Sequence, residues 1–101
     1  YAQPKLFGRV IMGSYQAWWN AVFAVGVEAR LDEIAENLDG QARLLKLHAV
    51  VKVEADRVAV VAAEHPPTTR ENFEILYHAY DAFEKNMNRL EIAYATYQAM
   101  Q

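Results

Sequence analysis

The stretch FEILYHAYDAFEKNMNRLEIAYATY, residues 73–97, decides the fold of this chain. Apolar and aromatic side chains recur in it at strict intervals of three and four residues, at Phe73, Leu76, Tyr80, Phe83, Met87, Leu90, Tyr94 and Tyr97. This heptad pattern is typical of a helix that packs on other helices. Because most of the positions carry rings, a broad bundle is favoured over a slim two-stranded coiled coil.

The start of this helix is marked by sequence signals. Pro66 and Pro67 stop the preceding segment, because the residue before a proline is forced away from helical geometry. Thr68 and Glu71 follow with the spacing of a capping box, in which each side chain satisfies a backbone N–H near the other. We therefore expect the third helix over residues 69–100.

Two more helices are predicted upstream, about 5–38 and 41–64, separated by Gly40, which suits the left-handed conformation at a helix C-terminus. The apolar row of the earlier one includes Val27, Leu31, Ile34 and Leu38. The row of the later one is Leu44, Leu47, Val51, Ala55, Val58 and Ala62. A β-hairpin turning at residues 54–57 is the alternative for the later segment, since β-branched residues flank it. The absence of Gly, Asn or Pro from that turn favours the helix.

Composition limits the class of protein. A chain of 101 residues with 53% hydrophobic residues is predicted to form a single domain, residues 1–101, with one modest core. Its formal net charge of −3 provides no positive field for phosphate, so we expect no nucleic-acid partner. The chain contains no cysteine, which excludes disulfides and thiolate chemistry. Because it begins at Tyr1 and not at Met, we expect it to be a processed or excised piece.

Residues 10–27 carry no charge and allow two interpretations. The stretch just reaches the length of a membrane-spanning helix, and Lys5 and Arg9 precede it. Against a membrane segment, Gln16 and Asn20 continue a weakly polar stripe, as in a largely buried helix of a soluble bundle. We favour the bundle helix and keep membrane association as the alternative. The adjacent Trp18 and Trp19 point about 100° apart, so one can be core while the other borders an interface.

The sequence predicts an antiparallel up-down-up, all-α bundle of three long helices, completed by oligomerisation. The middle helix is shorter than its neighbours, so the start of the first and the end of the third should overhang as apolar surfaces. Gly13, Ala17 and Ala21 form a small-residue line that admits another helix. The predicted partner interface comprises Leu6, Phe7, Val10, Ile11, Gly13, Ala17, Trp18, Trp19, Ala21, Tyr94, Tyr97 and Met100.

Candidate catalytic and ligand-binding groups are few, and we predict no enzyme, cofactor or metal site. Ser14 is the only serine and is remote in sequence from any histidine or acid. Glu74, His78 and Asp81 share a helical face that turns away from the apolar row, which indicates a solvated face. His48 lacks the following Lys and Gly of a histidine phosphotransfer domain, so we interpret it as a flanking polar residue.

The leading functional hypothesis is a non-enzymatic interaction or assembly module that self-associates, most simply as a homodimer, or docks on a helical partner protein. A second hypothesis is a ligand-sensing bundle of a receptor, in which a small molecule binds between the helices, lined by Tyr77, Tyr80, Tyr94 and Trp18 or Trp19. A third is a membrane-associated subunit anchored by residues 10–27.

Overall fold

The computed structural model describes residues 14–101, and this part of the chain forms three helices without strands. Helix α1 is continuous and consists of three segments, Ser14–Trp19, Asn20–Val27 and Glu28–Glu36. Helix α2 is Ala42–Glu64 and helix α3 is Arg70–Ala99. The all-α prediction is confirmed, and the predicted ends of α2 and α3 are met to within a residue. The predicted helical residues 5–13 lie outside the described residues.

The middle segment of α1, Asn20–Val27, is a π-helix. The N–H of Glu28 accordingly donates to the carbonyl of Phe23, five residues earlier. The buried residues explain this wider turn, because they follow at four-residue intervals, at Tyr15, Trp19, Phe23, Val27 and Leu31. In an α-helix such a row would rotate by about 40° at each step and leave the core. The π-helix, with more residues per turn, keeps the large side chains on one side.

The connections between the helices are short. Gly40 has a φ of 71°, the left-handed conformation that glycine adopts without steric cost, and it follows the end of α1. The N-cap residue of α3 lies one position later in the sequence than predicted. The side chain of Thr69, not Thr68, accepts a hydrogen bond from the N–H of Asn72, at 3.1 Å. Thr68 lies in the preceding turn, where its hydroxyl donates to the carbonyl of Pro66.

Side-chain contacts define the relative directions of the helices. Tyr15 stacks on Phe73, and Arg30, further along α1, reaches Glu91, so α1 and α3 run parallel. Helix α2 runs against both. Its most extensive packing is on α3, and it is joined to α1 where Nε2 of His48 lies 2.8 Å from the carbonyl oxygen of Leu31. This is the predicted up-down-up bundle.

The core consists of one apolar row from each helix. Every member of the predicted α3 row is buried except Tyr97, which is half-buried against the core. In α2 the middle of the predicted row, Val51, Ala55 and Val58, is buried, and its outer members pack on the core from the edges. Since the buried row of α3 meets both α1 and α2, α3 is the central element on which the other two helices pack.

Candidate interaction surface

The residues predicted to form a partner interface are distributed over different environments. Leu6, Phe7, Val10, Ile11 and Gly13 lie outside the described residues. Solvent-exposed members are Ala17 and Ala21 on α1 and Met100 after α3. Half-buried members are Trp18 and Tyr97, and core members are Trp19 and Tyr94. The described members thus do not form one continuous exposed surface.

The expected apolar overhang at the end of α3 does not include Tyr94, which is only 2% exposed. The physical reason is the alignment of the helices. Asn86 of α3 donates to both carboxylate oxygens of Glu54, at 2.8 and 2.9 Å, which places the N-terminal half of α2 beside the C-terminal half of α3. Helix α1 covers the same region, because the guanidinium of Arg30 lies 5.3 Å from the Tyr94 ring centroid. The shorter α2 is therefore long enough to reach this end of the bundle.

The adjacent tryptophans divide between the core and its margin. Trp19 stacks on Phe23 with ring centroids 4.7 Å apart and meets Tyr80 edge to face at 5.7 Å. Trp18 is half-buried and contacts Phe73 and Tyr77, with centroid distances of 5.4 and 6.3 Å. Four of the rings proposed to line a ligand site, Trp18, Trp19, Tyr77 and Tyr80, are thus packed against other rings.

Two buried oxygen atoms on α3 have no hydrogen-bond partner among the residues that the structure describes. They are the hydroxyl of Tyr80 and Oε2 of Glu84. Burial raises the pKa of Glu84, and the nearby charge of Asp81 raises it further. Burial also raises the pKa of Tyr77, with the charges of Glu84 and Asp81 adding to it. The raised pKa values favour the protonated forms of Glu84 and Tyr77.

Arg30 and Glu91 form an ion pair between α1 and α3. The guanidinium donates Nε–H and Nη2–H bonds to the carboxylate at 2.8–3.0 Å, a bidentate geometry, and both side chains are largely buried. The hydrogen bond to Glu91 is the main cause of the raised pKa of Arg30. Burial alone would raise the pKa of Glu91, but hydrogen bonds, that from Arg30 among them, bring it below its usual value. Sequence spacing gave no sign of this pair.

The three residues considered as possible metal ligands are exposed to solvent. Glu74, His78 and Asp81 are exposed on α3, as predicted. Within residues 14–101 no group of three or more acidic or histidine side chains could hold a metal ion. In the same part of the chain, no helix has the length and apolarity needed to cross a membrane.

Helix α2 has a second row of residues, on the side away from the core, which we call the outer row. Its members are all exposed and follow at intervals of three and four, at Arg43, Lys46, Val50, Val53, Arg57, Val60 and Glu64. The three valines are 51%, 56% and 55% exposed, respectively. The sequence analysis does not predict this row, because it identifies only the apolar row of α2 that faces the core, although the heptad spacing of the valines is a signal for a second one.

A shallow depression of about 530 Å³ lies along the outer row, lined by Lys46, Ala49, Val50, Val53, Glu54 and Arg57. It adjoins a groove of about 230 Å³ between α2 and α3, which shares Glu54 and Arg57. On the α3 side this groove is lined by Phe83 and by the small residues Ala79 and Ala82. Because small side chains leave space above α3, a helix lying along α2 has room for its own side chains there.

The fold and this surface define an all-α helical bundle with an apolar, partly basic helix face exposed to solvent. Comparison of the chain with protein-family models, curated proteins and solved structures finds no match.

Proposed function

We propose that this protein is a non-enzymatic helical assembly module that acts by self-association. The observation that supports this most is the exposure of Val50, Val53 and Val60 along the outer row of α2. Single exposed apolar residues are ordinary, whereas a row of them along one helix is typical of a surface that another protein covers. Such a row on a second face also makes α2 amphipathic on two sides.

The packing of the aromatic residues supports association over small-molecule sensing. The second hypothesis needs space between the helices near Tyr77, Tyr80 and Trp19. Tyr80 instead contacts Trp19, Phe23, Tyr77 and Phe83 with centroid distances of 5.7–6.3 Å. Because the aromatic side chains fill the space between the helices, we base the proposed function on the exposed apolar residues of the outer row.

Sedimentation velocity over a micromolar to submillimolar range tests the proposal. We expect a mass that rises with concentration toward two chains, in the presence and absence of a mild detergent. The mass of one chain at every concentration would refute self-association. Binding to liposomes, together with a single-chain mass without lipid, would support the membrane-associated alternative instead.

A further inference from the structure

We infer that the partner on the outer row of α2 is a second copy of the chain, with the two α2 helices antiparallel about a two-fold axis at Val53. This inference rests on the proposed self-association and adds its surface and its geometry. A two-fold interface brings the same surface of both copies together, so the row must be complementary to itself. The order of its residues meets this requirement.

Complementarity follows from the positions of the residues relative to Val53. Arg43 lies ten residues before it and Glu64 eleven residues after it, so in an antiparallel pair Arg43 lies opposite Glu64 of the partner subunit. Opposite charges thus meet at both ends of the interface. A parallel pair would instead place each basic residue beside its own copy and Glu64 beside Glu64 of the partner subunit, which is repulsive at every charged position.

The interior of the row fits the same register. Val53 meets Val53 of the partner subunit at the axis. Val50 lies opposite Arg57 of the partner subunit, and Lys46 lies opposite Val60 of the partner subunit. Arg and Lys cover apolar surface with their aliphatic stems while their charged ends remain in water, so each valine is covered by a compatible side chain. The row therefore provides alternating apolar and amphipathic contacts along a helix of 23 residues.

Two acidic residues, Asp56 and Glu54, lie next to the axis, and each has a partner within its own chain. Asp56 forms an ion pair with Nζ of Lys52 at 3.2 Å, and Glu54 is hydrogen-bonded to α3. Both of its carboxylate oxygens accept hydrogen bonds from Nδ2 of Asn86, which directs the carboxylate toward α3 and away from the axis. Arg57 lines the same groove as Glu54. The two Glu54 carboxylates are thus held by their own subunits and do not face one another.

Cysteine cross-linking tests the position of the axis, because the chain contains no cysteine of its own. A Val53→Cys variant should form a disulfide-linked dimer under mild oxidation, since a residue on a two-fold axis meets its own copy. A Val25→Cys variant is the matched control, because Val25 is equally apolar and exposed but lies on α1. Efficient cross-linking of the control alone, or of neither variant while the wild type dimerises, would overturn the inference.

Charge reversal tests the direction of the helices. Arg43→Glu alone and Glu64→Arg alone should each weaken the dimer roughly fivefold, because both ends of the interface become repulsive. The double variant should restore wild-type affinity in the antiparallel arrangement. In a parallel dimer like charges meet in the wild type and in every variant, so the single reversals would leave the affinity unchanged. Unchanged affinity of the single variants, or a double variant as weak as the single ones, would overturn the antiparallel geometry.

The outcomes separate this inference from the proposed function. If the wild-type chain has the mass of one copy at all concentrations, self-association itself fails. If a Val53→Glu variant still has the mass of two copies, with the same concentration dependence as the wild type, self-association stands and the outer row is not its surface. A Val25→Glu variant controls for the effect of an added charge, and far-ultraviolet circular dichroism checks that each variant is folded.

Discussion

Replacing Tyr80 by Phe should stabilise this protein, although the removal of a tyrosine hydroxyl usually destabilises a fold. Tyr80 is fully buried, and its hydroxyl has no hydrogen-bond partner within the described residues. Folding therefore removes the hydroxyl from water without replacing its hydrogen bonds. An unpaired buried polar group of this kind costs about 1–3 kcal/mol.

The size of the change in stability depends on which contacts of the Tyr80 ring phenylalanine retains. The ring of Phe would retain the contacts with Trp19, Phe23 and Phe83, while the unpaired oxygen is lost. The small void left by one oxygen offsets part of the gain, because some van der Waals contacts disappear. We expect the free energy of unfolding to rise by about 1 kcal/mol, which raises the Tm of a domain of this size by roughly 4–8 °C.

Urea and thermal denaturation, followed by circular dichroism at one fixed protein concentration, measure the change. Tyr94→Phe is the matched control, because Tyr94 is also buried but its hydroxyl accepts a hydrogen bond from Gln98 at 3.1 Å. That variant should lose about 0.5–1.5 kcal/mol. A Tyr80→Phe variant that is less stable than the wild type would contradict this prediction, because it would show that the hydroxyl does form a stabilising hydrogen bond.

Three further predictions concern the contacts that join the helices. Arg30→Gln should cost roughly 1–2 kcal/mol in chemical denaturation, because it breaks a partly buried bidentate pair. Since the folded pKa of Glu91 is lowered, the contribution of this carboxylate is full above its unfolded pKa and is lost as pH falls through the folded one. Acidification should therefore destabilise the wild type more than the Arg30→Gln variant, and equal losses would contradict the assignment. Thr69→Ala should cost about 1 kcal/mol by loss of the cap, and Thr68→Ala much less; the reverse order would contradict the capping geometry. Gly40→Ala should lower the Tm, because a φ of 71° strains any residue with a Cβ; an unchanged Tm would show that the turn readjusts.

The fold could be predicted from the sequence wherever apolar residues recur along one face of a helix. The α3 row needed only the three-and-four spacing, and its positions from Phe73 to Tyr94 are all buried. In α1 the four-residue spacing from Tyr15 to Leu31 is present in the sequence, but the sequence analysis predicts a regular α-helix there. A row that an α-helix cannot keep in line is the local signal for a π-helix.

Contacts between distant residues were not predictable in the same way. Arg30 and Glu91 lie 61 positions apart, and their pairing depends on how far α1 is displaced along α3. That displacement is determined by the packing of the large rings and by the geometry of the turns. Helix lengths alone led to an overhang at Tyr94 that the structure does not have. The placement of the cap at Thr69 similarly depends on backbone geometry, since Thr68 offers the same hydroxyl.

The outer row also changes the interpretation of the high hydrophobic fraction. On a solvent-exposed helix face, alanine and polar residues with high helix propensity stabilise the helix best. Valine has a lower helix propensity because its branched side chain loses rotamer freedom in a helix. Val50, Val53 and Val60 therefore weaken α2 in a lone chain, in which they are more than half exposed. Burial of each one against another helix contributes a favourable free energy that exceeds this loss. Part of the apolar excess thus lies along the exposed side of α2. A second copy docked there, as we propose, would turn these valines from a local cost into the centre of an interface.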